Sequence, residues 1–233
     1  MSESNGRWKS LVAEGAVIVI SILLAFGIDA AWDQSQERAF RADLLELLRA
    51  DFEATLVELD RAQNEANVIR SSYRDLLEAG ETGSGITADS IRILADQALS
   101  FVAYRPELAA YETAVASGGF RLINVPELWR DVTRFLQSLE TFEDHSRLYR
   151  ELVFVGDIQG LRRKLGSLRP LYRTELNGRS DLVLSDVEIR AVVGDKEARA
   201  AFEAAYWAFL VVSRSLEQMN LIATDILKHV ERP

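Results

Sequence analysis

Two hydrophobic patterns divide this chain. From Leu11 to Trp32 the sequence LVAEGAVIVISILLAFGIDAAW is apolar on every face of a helix, with no charge between Glu14 and Asp29. From Asp33 to Ala79 apolar residues instead return at alternating three- and four-residue steps. Leu45, Phe52, Leu59, Ala66 and Tyr73 occupy one position, and Leu48, Ala62, Ile69 and Leu76 the other. Thr55 is the single polar residue in that seam. The second pattern predicts a long helix with one buried stripe, as in a coiled coil. The first predicts a helix with apolar surroundings on all sides. Its length matches the roughly 20 residues needed to cross about 30 Å of hydrocarbon.

The same reading continues down the chain. No Pro or Gly interrupts Asp33–Ala79, so span and stalk form one helix ending at Gly80, and the stalk is about 70 Å long. Glu37–Arg41, Glu46–Arg49 and Glu58–Arg61 are spaced to pair along its surface. Thr87 caps a helix running to about Ser100, with Ile91, Leu94, Ala95 and Ala98 on its apolar face. Pro106 suits the first turn of the next helix, which stops at Gly118-Gly119. Asn124-Val-Pro-Glu127 reads as a capping box. Behind it Trp129, Val132, Leu136, Leu139, Phe142, Tyr149 and Leu152 mark a helix to about Val155.

Residues 156–194 are rich in Gly, with an extended patch at Leu182–Leu184 and a short helix capped by Ser185-Asp-Val-Glu188. Then Phe202, Ala205, Phe209, Val212, Leu216, Met219, Ala223, Ile226 and Val230 define a final amphipathic helix of roughly 35 residues. It is expected to pack antiparallel to the stalk. The fold class predicted is all-α: an N-terminal transmembrane helix continuing into a long helix of an extramembrane bundle. The divisions are 1–10 as a cytoplasmic tail, 11–32 as the span and 33–233 as a periplasmic helical-bundle domain.

Charge sets the expected orientation. Arg7 and Lys9 precede the span, whereas Asp29, Asp33 and Glu37 open its far side. Excess Lys and Arg marks the cytoplasmic face, so the N-terminus is expected inside a bacterial inner membrane and the bundle in the periplasm. Ala25-Phe26-Gly27 resembles a signal-peptidase site. The apolar run reaches spanning length only by continuing past it, so a retained single-pass anchor is expected. With 233 residues and a net charge of −9, the chain is large enough for one cored domain and too acidic for nucleic acid. It has no Cys, which suits an oxidising compartment.

The anchor Glu14…Val17-Ile18-Val19-Ile20-Ser21-Ile22-Leu23-Leu24-Ala25-Phe26-Gly27-Ile28, followed by Trp32-Asp33, resembles an uncharacterised bacterial family of single-pass membrane proteins. Their anchor reads G-E-I-x-x-V-x-I-G-I-L-I-A-L-x-I-x-N-W-N-E. Ser117-Gly118 and Leu122-Ile123-Asn124 are similar to a second segment of that family. The chain departs at Ala13 and Ser21, where the family has Gly, and at Asp33, where it has Asn. The resemblance implies the topology and no particular activity.

Candidate chemistry is sparse. His145 and His229 are the only histidines, and neither has a metal-ligand or nucleophile motif beside it. His145 falls next to Glu140, Glu143 and Asp144, a pattern that reads as a solvated helix face. No phosphate-binding glycine loop is present. The chain is therefore expected to be non-enzymatic and to carry no metal or other cofactor. Arg162, Arg163, Lys164, Arg169 and Arg173 form a basic cluster suited to an anionic partner. Along the span, Glu14, Ile18, Ser21, Ala25, Asp29 and Trp32 fall on one helical line that gathers charged and small residues. Of these, Glu14, Ser21, Ala25, Asp29 and Trp32 are the candidate contacts to another transmembrane helix, from a second copy or a foreign subunit. Gly27 and Ala31 lie beside them. The expected role is scaffolding of other membrane components in contact with the bilayer. An accessory subunit of a respiratory or photosynthetic complex and a ligand-sensing bundle are the alternatives.

Overall fold

The computed structural model describes residues 4–82, 86–156 and 185–231, with side chains from Val19 onward. It is all-α among the described residues. The helices are α1 (Ser4–Thr82), α2 (Ala88–Ala98), α3 (Ala109–Ser117), α4 (Pro126–Phe154), α5 (Asp186–Gly194) and α6 (Lys196–Val230), with a 3-10 turn at Gly119–Arg121. The chain packs as two units: residues 1–49 with 108–124, and residues 50–107 with 125–233. α1 contributes to both.

The larger unit is a helical bundle built on the predicted seams. Asp60, Gln63, Tyr73 and Glu81 of α1 meet Asn220, the Leu216 carbonyl, Phe209 and Arg199 of α6 in turn. One numbering rises as the other falls, so the two helices are antiparallel, as their matching stripes require. α4 runs parallel to α1, with Phe135 edge-on to Phe52 and Tyr149 bonded to Tyr73. The fourth side is not one helix. α2 and the non-helical residues 100–108 return along α1, tied by Ser72 to Gln97 at 2.8 Å and by Arg61 to the Ala103 carbonyl at 3.0 Å.

Thr55, the one polar residue of the stalk seam, is fully buried and closes this fourth side. Its hydroxyl donates to the Glu107 carbonyl and accepts from the Glu107 N–H, both at 3.3 Å. A buried hydroxyl needs such partners, and here they dock a segment that has no helical bonds of its own. A second polar knot lies deeper. Tyr149 Oη is 2.9 Å from the Ala98 carbonyl and 3.0 Å from the Ser100 carbonyl. Carbonyls only accept, so the Tyr149 proton goes to them, and Tyr73 donates to Tyr149 at 2.9 Å.

In the smaller unit Gly119 lies against α1, where an added Cβ would meet Leu44 and Phe40 at 2.9 Å. Gly118 ends α3 at φ 69°, a left-handed conformation that glycine adopts without strain.

Several local expectations are corrected. The buried stalk residue is Leu44 rather than Leu45, because the helix drifts from a strict heptad where Gly119 covers it. Gly80 does not stop α1, which continues to Thr82. An added Cβ there would lie 2.6 Å from the Val193 carbonyl oxygen, so close approach of α5 is what calls for glycine. Pro106 is in the extended segment, and α3 begins only at Ala109. No capping box forms at Asn124: Val125 is the N-cap without a side-chain bond, and Pro126 opens α4. On α4 the buried line is Leu128, Val132, Phe135, Phe142, Tyr149 and Val153, while Trp129, Leu136, Leu139 and Leu152 are half-buried flanks. The stripe is displaced because two neighbours, α1 and α6, share it.

Other expectations hold. Thr87 accepts from the Ser90 N–H, and Ser185 with Glu188 forms a complete capping box. α6 has 35 residues, and its predicted stripe is buried from Phe202 to Ile226, with Val230 half-buried. The Leu182–Leu184 patch lies outside the described residues. Among those residues, no helix is long and apolar enough to cross a membrane. The side chains of Leu11–Ile18, the first part of the expected span, lie outside that description.

Candidate functional sites

From Val19 to Trp32 α1 has no cover from the rest of the described chain. Its large apolar side chains are exposed without exception, from 50% at Ile22 to 67% at Phe26. Ser21, Ala25, Asp29 and Trp32 are all exposed on this stretch, and the side chain of Glu14 lies outside the described residues. A Cβ built on Gly27 would meet nothing within 4 Å. Scattered exposed hydrophobics are ordinary, but contiguous ones mark an interaction surface. The basic cluster of Arg162, Arg163, Lys164, Arg169 and Arg173 also lies outside the described residues.

Both histidines belong to the bundle. His145 is half-buried between α4 and α6, with Nδ1 3.1 Å from Ser215 Oγ, and so leaves the exposed face of Glu140, Glu143 and Asp144. His229 Nε2 lies 3.3 Å from Oδ2 of buried Asp131, which also takes Arg134 at 3.3 Å. These contacts tie helix to helix. Among the described residues, no group of three or more His, Cys, Asp or Glu residues is placed to hold a metal ion.

A feature that the sequence reading missed is a cleft of about 590 Å³ between α1, the extended segment and α4. Glu58 and Arg61 form one wall, Phe101–Arg105 the second, and Phe142, Glu143, Ser146, Arg147 and Arg150 the third. Tyr104 stands edge-on to Phe142, ring centres 5.7 Å apart, and is 8% exposed. Its hydroxyl and that of Ser146 are buried without a hydrogen-bond partner. Burial pushes the Tyr104 phenol well above its ordinary pKa, and the negative charge of Glu58 adds to the effect, so it stays a neutral donor. The hydrogen bond that Arg61 donates to the Glu58 carboxylate and the charge of Glu65 raise the Arg61 pKa, so this cation is permanent. Arg147 pairs with Asp144 at 2.7 Å, and Arg150 donates to the Ser146 carbonyl at 3.2 Å. Arg105 is exposed, with no hydrogen bond or ion pair among the described residues.

The sequence signal here is Pro106 alone, since Phe101–Tyr104 are all apolar and their alternation belongs to the structure. In Phe101-Val-Ala-Tyr-Arg105 inward and outward residues alternate, with Val102 and Tyr104 buried and Phe101, Ala103 and Arg105 exposed. That period of two marks extended chain, and the residue before a proline is itself biased away from helix.

No family model, curated protein or solved structure matches this chain.

Proposed function

We propose that the chain is a non-enzymatic, single-pass membrane protein, anchored by Leu11–Trp32, whose helical bundle scaffolds or supports other membrane components. The N-terminus lies in the cytoplasm and the bundle in the periplasm of a bacterial cell, the topology of the family that the anchor resembles. The observation that carries this reading is the uncovered apolar face of α1 from Val19 to Trp32. Exposing so many large apolar side chains to water is costly, at roughly 25 cal/mol per Å². Lipid removes the cost. Arg7 and Lys9 before the stretch, and Asp29 and Asp33 at its far end, support the orientation.

Open space at Gly27 favours a second reading, in which the anchor lies against a foreign helix as an accessory subunit. Alkaline carbonate washing of membranes from expressing cells tests the anchor itself. The full chain is expected to stay in the pellet and the 33–233 fragment to wash free; release of the full chain refutes the anchor. A phosphatase fused after Pro233 is expected to be active, and an inactive phosphatase fusion refutes the orientation. Purification in mild detergent separates the two roles, since a fixed set of foreign subunits favours the accessory reading.

A further inference from the structure

We infer that the cleft between α1, residues 101–105 and α4 is a binding site for an amphipathic organic anion, a carboxylate on an aromatic or aliphatic body. It lies wholly within the bundle and is independent of the anchor. Three observations carry the inference. The first is shape: about 590 Å³ falls within the 300–1,000 Å³ usual for small-molecule sites. The second is charge. The chain carries −9 overall, yet this cleft gathers four arginines against two glutamates. Arg61 and Arg147 are already engaged by carboxylates, whereas Arg105 has no partner among the described residues. A guanidinium held in that way presents a planar fork suited to a carboxylate.

The third is the floor. Buried hydroxyls are normally satisfied, and leaving one unpaired is costly. Tyr104 and Ser146 leave two unpaired at the base of one cleft. Beside them Phe101, Phe142 and the Tyr104 ring supply apolar faces. The ligand's anionic head therefore goes to Arg105 and its body to the aromatic wall that covers the two hydroxyls.

The test uses the full chain in phosphatidylcholine nanodiscs, with naphthoate as probe and naphthamide as its neutral counterpart. Equilibrium dialysis should show naphthoate binding about tenfold or more tighter than the amide, the scale of one charge-assisted hydrogen bond. Arg105→Glu should remove that preference, and Arg74→Glu, on an exposed part of α1, should not. Tyr104→Phe separates binding from structure. It should raise the melting temperature, because an unpaired buried hydroxyl is gone, while naphthoate, whose one polar group goes to Arg105, should bind as before. Repeating the titration with a water-soluble short-chain phosphatidylglycerol added to the solution separates the sources. Displacement of naphthoate identifies a lipid headgroup as the natural anion, and unchanged binding a free carboxylate. Equal affinity for acid and amide, no binding up to millimolar probe, or an Arg105→Glu chain that binds as before would overturn the site.

Discussion

α1 between Val19 and Trp32 and α6 between Phe202 and Ile226 are both helices rich in large apolar side chains, yet among the described residues only the second is covered. In α6 those residues sit at alternating three- and four-residue steps, so they form one stripe that α1 and α4 bury. In the N-terminal stretch they occupy every face. No single neighbouring helix covers such a surface, and the fold leaves it exposed. Hydrophobic content is thus a poor guide to burial, whereas its arrangement around the helix is a good one. The stripe finds its partner within the chain, and the all-round surface stays open among the described residues.

This contrast is open to direct attack by mutation. Phe52→Ala and Leu216→Ala each empty a fully buried site in the bundle and should cost about 3–5 and 2–5 kcal/mol respectively. Phe26→Ala, at a side chain 67% exposed, should leave bundle stability within about 0.5 kcal/mol. Urea unfolding followed by circular dichroism reads both. Equal losses would mean that the exposed stretch is part of the same core.

Glycines sharpen the comparison at lower cost. Gly80→Ala drives a Cβ against the Val193 carbonyl oxygen and should destabilise by about 1–3 kcal/mol, despite alanine's better helix propensity. Gly27→Ala meets nothing and should leave the unfolding transition where it is. A more stable Gly80→Ala protein would show that α5 yields easily.

Polar burial comes next in size. Tyr149→Phe leaves the Ala98 and Ser100 carbonyls and the Tyr73 hydroxyl short of a partner, an expected loss of about 1–3 kcal/mol. Hydrogen exchange should show the junction after α2 opening first. Unchanged protection there would mean that water replaces the phenol without penalty.

The smallest effect is expected at the α5 capping box. Ser185→Ala removes the hydroxyl half of the box, leaving the Ser185 N–H bond to the Glu188 carboxylate, and should cost about 1 kcal/mol. The hydrogen bonds from Ser185 hold the Glu188 carboxyl below its ordinary pKa. A depressed carboxyl contributes stability that is present above the ordinary glutamate range and lost as pH falls through the folded value. Acid titration should therefore weaken α5 in the parent chain and change less in Ser185→Ala. Parallel acid profiles would remove Glu188 from the account.

Much of the fold is legible in the sequence, and the reasons are local. Thr87, Ser185 and Glu188 cap helices through bonds that span three residues, so spacing alone identifies them. The α6 stripe is long enough for its period to be read without error, and its antiparallel pairing with α1 follows from two matching seams. Single registers were less legible. Leu44 replaces Leu45, and Leu128 replaces Trp129, because the choice between adjacent apolar residues depends on which neighbour arrives at that level. Gly80 reads as a stop in sequence and acts as a contact in space, a distinction made by the Val193 carbonyl more than a hundred residues away.

The candidate cleft was the least visible part. Its walls come from α1, the extended segment and α4, and only packing brings Glu58, Tyr104 and Ser146 together. Sequence alone determined that this protein is helical, where its long helices run and which stretch of α1 is apolar on every face, because helix period and capping act over a few residues. Tertiary structure decided that Thr55 docks a non-helical segment in place of a fourth long helix and that His145 and His229 join helices. It also decided that two hydroxyls end up buried at one cleft. Each of these depends on atoms far apart in the chain meeting within hydrogen-bond reach, and no periodicity carries that information.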